Sequence, residues 1–151
     1  MAGAVTVIRE TRLDPGFPLS RRELSGLLTV ILDSLGLEGR SVEVKLVGDG
    51  EIARLNREFM GCEGPTNILS FPSGDEDGEF MGALALSVDA VARESFLYGQ
   101  QPTLHLARLL AHGVLHLAGH DHGEIMYDLT DAAVDRVALE YAIAGEDHAW
   151  A

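Results

Sequence analysis

Residues 103–122 read TLHLARLLAHGVLHLAGHDH, and this stretch decides the architecture. Leu106, Leu109, Leu110 and Leu117 recur at helical spacing, which predicts an amphipathic helix with Thr103 as its N-cap and an end near Ala118. Four of the six histidines of the chain fall between positions 112 and 122. On a helix His112 and His116 stand one turn apart on one face, where two imidazoles can converge on a single ion. The leucine stripe lies beside that face, so the pair sits at the edge of the core, both held and reachable.

A third ligand has to come from beyond the straight helix, because another full turn along the axis is too far from the same ion. Gly119 supplies the turn: glycine accepts a positive φ and commonly follows a helix end, which swings His122 back toward the pair. His120, four residues after His116, competes for this role only if the helix continues through Gly119. The spacing of His112, His116, Gly119 and His122 equals that of the metzincin zinc proteases, H-E-x-x-H-x-x-G-x-x-H. The glutamate that serves those enzymes as general base is Gly113 here, so the metal reading survives while the peptidase reading weakens. Gly113 costs roughly 1 kcal/mol relative to alanine inside a helix, which is tolerable where something must approach the backbone closely.

Three neutral imidazoles leave a zinc ion its full charge and one open position, a catalytic pattern more than a structural one. We therefore expect one zinc per chain on His112, His116 and His122. A closed structural site would need a fourth ligand from Asp121, His120 or a distant carboxylate. Asp121 is otherwise a candidate for orienting a ligand imidazole, for accepting a proton from water, or for holding the turn. His105 lies two turns from His112 and reads as a surface or supporting histidine, while His148 falls in the terminal EDHAWA segment.

Working outward, Val5–Ile8 reads as a strand, and Ser20 with Glu23 forms a capping box for a helix carrying Leu24, Leu27, Leu28, Ile31 and Leu35, stopped at Gly36. Val42, Val44 and Leu46 alternate as in a half-buried strand. Asp49 then offers an N-cap for a helix with Ile52, Leu55 and Phe59 inward. Strands over Asn67–Phe71 and Phe80–Leu86 flank the acidic PSGDEDGE loop. Ser87 caps a helix through Tyr98, and a last helix runs from Asp128 or Thr130 to Ala144. The elements predict an α+β fold, a small mixed sheet packed with helices, with the zinc site on a central helix and the turn after it. With 151 residues we read one domain over 1–151, and residues 146–151 as a flexible tail.

Eleven basic residues against 24 acidic ones give a net charge of −13, which argues against a protein that grips nucleic acid by a broad basic surface. The lone Cys62 excludes an intrachain disulfide and a multi-cysteine metal cluster. The absence of an apolar run of membrane-spanning length or of a signal peptide leads us to expect a cytoplasmic protein without membrane contact.

At this point the sequence resembles the YbeY family of metal-dependent endoribonucleases, whose hallmark H-G-x-L-H-L-x-G-y-D-H is matched by HGVLHLAGHDH. Leu55–Asn56, PTNILSFP from Pro65 to Pro72 and MGALALS from Met81 to Ser87 are similar to further family motifs, in order from about residue 43 to Met126. The resemblance implies an α+β fold, zinc on the three histidines and a role in ribosomal RNA processing, including small-subunit maturation and ribosome quality control. Three positions depart from the family pattern: Met60 for arginine, Asn67 for aspartate and Ala83 for aspartate. Losing the arginine removes a cation suited to phosphate oxygens. Arg54, Arg57 or Arg93 could contact RNA in its place.

The first reading is thus a zinc-dependent, single-strand-specific endoribonuclease acting on ribosomal RNA precursors, brought to them by a ribosomal or assembly protein. The alternative is a ribosome-assembly or RNA-binding factor with structural zinc and weak or lost catalysis, which the three departures favour. A metallopeptidase or other small-molecule hydrolase is the third reading, supported by the spacing and opposed by Gly113. No residue is assigned as general base.

Overall fold

The computed structural model describes residues 5–9, 17, 19–75 and 77–143. For 5–9 only the backbone is described. His148 and the end of the last predicted helix at Ala144 lie outside the described residues. The element order is β1 (Val5–Arg9), α1 (Arg21–Ser34), β2 (Ser41–Val47), α2 (Asp49–Met60), β3 (Ile68–Pro72), β4 (Phe80–Ser87), α3 (Val88–Leu97), α4 (Pro102–Leu117) and α5 (Glu124–Glu140).

The strands form one mixed sheet in the order β1-β2-β4-β3. β1, β2 and β4 run parallel, and β3 pairs antiparallel with β4, with Leu69 opposite Ala85 and Ser70 opposite Leu84. Period-two alternation assigns the faces. Val42, Val44 and Leu46 of β2 with Leu84 and Leu86 of β4 meet α1, α4 and α5 in the main core. On the other face Val47, Leu69 and Ala85 pack against Ile52 and Leu55 of α2. Helix α4 is buried almost all round, and each fully buried leucine on it contributes about 1.5–3 kcal/mol.

The start of α1 matches its sequence expectation, and those of α2, α4 and α5 differ. The capping box of Ser20 and Glu23 forms, with Glu23 N–H donating to Ser20 Oγ at 3.2 Å and Ser20 N–H to Glu23 Oε1 at 3.0 Å. Helix α2 is capped at Gly48 instead of Asp49, because the Asp49 carboxylate accepts from Ser87 Oγ and Arg93. The Asp49 N–H is satisfied by Asp89 Oδ2 at 2.9 Å. Helix α4 starts at Pro102 with Gln101 as cap, its side chain accepting from Leu104 N–H at 2.9 Å; proline at the first helical position places Thr103 inside the first turn. Helix α5 begins at Glu124, a turn earlier than its pattern indicated. Phe59 is 63% exposed, lying edge-on to Phe71 with ring centroids 5.6 Å apart.

Two glycines set the spacing around β4. A Cβ on Gly113 of α4 would stand 2.9 Å from both Ile68 Cδ1 and Leu84 Cδ2, so the missing side chain is what lets α4 lie this close to β3 and β4. Gly82 has φ +138°, and a Cβ there would stand 2.3 Å from the Phe71 carbonyl oxygen. That obstacle is backbone and cannot swing aside. Gly82→Ala is expected to destabilise the protein by about 2–4 kcal/mol, from overpacking plus backbone strain. Urea unfolding measures it, and a loss below about 1 kcal/mol would contradict the packing described for this strand pair.

Candidate metal centre

Helix α4 ends in a Schellman turn: Gly119 N–H donates to the His116 carbonyl at 3.1 Å and His120 N–H to the Leu115 carbonyl at 3.0 Å. Gly119, at φ +94°, takes the left-handed conformation that this motif requires. The chain then doubles back, and the rings of His112, His116 and His122 come together with centroids 4.8, 4.9 and 5.1 Å apart. Their ligand-donor nitrogens all lie within 4.8 Å of one another and could hold one metal ion. His112 and His116 are half-buried on the helix, and His122 is exposed at the mouth.

His120 is not in this cluster, and its contribution is through the backbone. Its carbonyl oxygen lies 3.1 Å from His116 Nδ1 and accepts that N–H, leaving Nε2 as the nitrogen with a free lone pair for a metal. For His116 the supporting acceptor is this carbonyl; Asp121 is exposed. Burial first, and then the neighbouring His116 and His122 charges, push the pKa of His112 down from 6.5 to about 4. A ring held neutral in this way suits metal ligation, because neutral imidazole is the ligand form.

The histidines form one side of a cleft of about 450 Å³, and the other side is Thr66–Ser70 with Pro72. None of these lining residues is acidic, although the chain carries a charge of −13. Among the described residues the β3 wall is an unpaired edge of the sheet. The Asn67 carbonyl accepts from Ser87 N–H, and Ser73 N–H donates to the Met81 carbonyl, so the odd-numbered residues face β4. The backbone groups of Ile68, Ser70 and Pro72 consequently point outward. Ser70 Oγ donates to the Gly113 carbonyl at 3.0 Å, tying the wall to the helix beside His112.

The other residues singled out from sequence fall in different places. Arg54 is tied to Glu51 and Glu58 on its own helix, and Arg93 to Asp49 at 2.8 Å. Arg57 and Met60 are exposed and do not line the cleft. Ala83 sits opposite Phe71 on the α2 face of the sheet, away from the histidines, whereas Asn67 lines the cleft. His105, read as a surface or supporting histidine, is buried, with Nε2 2.9 Å from Glu94 Oε1. The Cβ of a glutamate at position 113 would stand 2.9 Å from Ile68 Cδ1 and Leu84 Cδ2, so the metzincin base would need both side chains to shift. The β3 wall and the Glu94 partnership depend on long-range pairing that no local pattern signals.

The family model described as "Endoribonuclease YbeY" matches residues 19–132. An endoribonuclease YbeY of Oleidesulfovibrio alaskensis is 46% identical, covering 93% of this chain and 99% of the relative. One from Nitratidesulfovibrio vulgaris is 43% identical, covering 77% of this chain and 83% of the relative. The solution structure of TM1509 from Thermotoga maritima superposes with a TM-score of 0.67 at 23% identity, covering 97% of this chain and 99% of that one, which supports the α+β fold. With a family match across most of the described core and relatives this similar over most of their length, the chain belongs to the YbeY family.

Proposed function

We propose that the protein is a zinc-dependent endoribonuclease specific for single-stranded RNA, acting in the maturation of ribosomal RNA, including the 3′ end of the small-subunit RNA, and in ribosome quality control. The observation that carries this reading is the convergence of three imidazoles on an acid-free cleft in a chain whose relatives are named endoribonucleases. His112, His116 and His122 are the proposed ligands of one zinc ion per chain, an all-imidazole set that suits zinc. Such an ion supplies Lewis acidity toward a phosphoryl oxygen and a bound water of lowered pKa. His120, through its carbonyl, holds the His116 ring by Nδ1 and leaves Nε2 free for the metal. The β3 edge offers backbone groups to the substrate across from the histidines.

The acidic surface suits recruitment to RNA by a ribosomal or assembly protein, and we place the activity in the cytoplasm. No described helix is long and apolar enough to cross a membrane. The rival reading, an RNA-binding assembly factor with structural zinc, draws on how few of the candidate arginines are available to RNA: Arg54 and Arg93 are engaged in ion pairs, and of the three only the exposed Arg57 remains. The Ala83 departure no longer supports it, because that position faces α2.

Elemental analysis should find one zinc per chain in the parent protein and in His120→Ala, which keeps the backbone carbonyl, and none in His116→Ala or His122→Ala. Acidification should release the metal, since each proton taken up by an imidazole removes a ligand lone pair. Zinc lost from His120→Ala but retained in His122→Ala would overturn the ligand set.

The function itself is tested by incubating one preparation with single-stranded RNA, duplex RNA and casein, each with and without chelator. Cleavage of single-stranded RNA alone, abolished by chelator and by His116→Ala, is the expected outcome. RNA binding without cleavage in the zinc-loaded protein would favour the assembly-factor reading, and casein hydrolysis would favour the peptidase.

A further inference from the structure

Behind the β3 wall lies a polar chain that the metal chemistry does not use. His105 and Glu94 are largely buried, with side-chain exposures of 7% and 19%. His105 Nε2 stands 2.9 Å from Glu94 Oε1. An ionised carboxylate can only accept, so the ring donates from Nε2. Its Nδ1 is buried without a partner among the described residues, and the Tyr98 and His105 rings lie edge to face with centroids 6.2 Å apart. The Glu94 carboxylate in turn accepts from Asn67 Nδ2, at 3.3 and 3.4 Å for its two oxygens. Asn67 Oδ1 accepts the Ile68 N–H at 2.8 Å.

The last bond matters for the cleft. Of the outward-facing residues of β3, Pro72 has no N–H, and the Ile68 N–H is occupied by Asn67. Among the described residues, Ser70 N–H is left as the outward backbone donor of β3 itself. We propose that Glu94 and His105 are positioning residues for the cleft: by holding the Asn67 amide against Ile68 N–H they leave Ser70 N–H to take a phosphate oxygen of the RNA, fixing the register of the strand against the histidines. This proposal rests on the RNA-cleaving reading of the site.

The chemistry of position 67 follows. An amide can donate to Glu94 and accept from Ile68 at once, whereas an aspartate there would face the Glu94 carboxylate with like charge. Asn67 is therefore matched to Glu94, and its departure from the family pattern is accommodated by a partner 27 residues away. Exchanging the two groups keeps one donor–acceptor pair at each link: in Asn67→Asp with Glu94→Gln, the glutamine NH2 donates to the new carboxylate at position 67 while its oxygen accepts from His105, and that carboxylate still accepts from Ile68 N–H.

The test compares the zinc-loaded parent, Asn67→Asp, and Asn67→Asp/Glu94→Gln. Hydrogen exchange at the Ile68 amide and steady-state cleavage of a single-stranded oligoribonucleotide are the two readouts. Asn67→Asp should accelerate Ile68 exchange and raise KM about tenfold, as expected for one misplaced hydrogen-bonding group, with zinc content and kcat near the parent's. The double variant should return both readouts close to the parent. A purely structural role would lower the melting temperature and leave KM in place, and that result overturns the proposal. So does a double variant no better than the single one, or Ile68 exchange that does not respond. If the parent cleaves no RNA, the functional reading falls, while the Ile68 readout still decides whether Glu94 holds Asn67, and the same readout on His105→Phe, expected to accelerate Ile68 exchange, decides whether His105 supports Glu94; unchanged exchange there removes His105 from the proposal.

Discussion

At Gly113 the backbone of α4 lies so close to the sheet that a methyl group there would stand 2.9 Å from both Ile68 and Leu84, and this approach places His112 against the wall of β3. The Ser70 hydroxyl reaches the Gly113 carbonyl only because of it. The cleft is the gap that remains between a tightly docked helix and the β3 edge of the sheet. Its position is set by the packing of the buried face of α4, which fixes the histidine-bearing face to within the tolerance of a close-packed core. The position that carries the general base in metzincins is given over here to helix–sheet contact, so a shared ligand spacing need not imply a shared reaction.

The turn after α4 is the second requirement. Gly119 ends the helix, the Schellman bonds lock the reversal, and His120 is left presenting its carbonyl to His116 while His122 reaches the cluster. One short segment thus supplies the three imidazoles, the turn that gathers them and the acceptor that orients one of them. Function here depends on core packing for location and on a helix C-cap for assembly.

The parts legible in the sequence were those written in local spacing. The one-turn interval of His112 and His116, the glycine at 119 and the leucine stripe gave the helix, its end and the clustered histidines; the capping box at Ser20 and Glu23 gave the start of α1. Helix starts were misplaced where tertiary partners competed for the capping group, as at Asp49, whose carboxylate is held by Ser87 and Arg93. The spacing of Phe59 matches Ile52 and Leu55 and places it inside, but in the fold its ring is largely exposed and lies edge-on to Phe71. The link from His105 through Glu94 to Asn67 was not legible, since it joins two helices and a strand start whose proximity only the fold creates.

X-ray absorption at the zinc edge of the metal-loaded protein tests the central claim most directly, because it counts the donors around the ion and identifies imidazole by its scattering. Three imidazole nitrogens at about 2.0–2.1 Å and one oxygen that exchanges with solvent anions are what an open catalytic site on His112, His116 and His122 predicts. A fourth protein ligand that added anions fail to displace, or a set with fewer than three imidazoles, would contradict it.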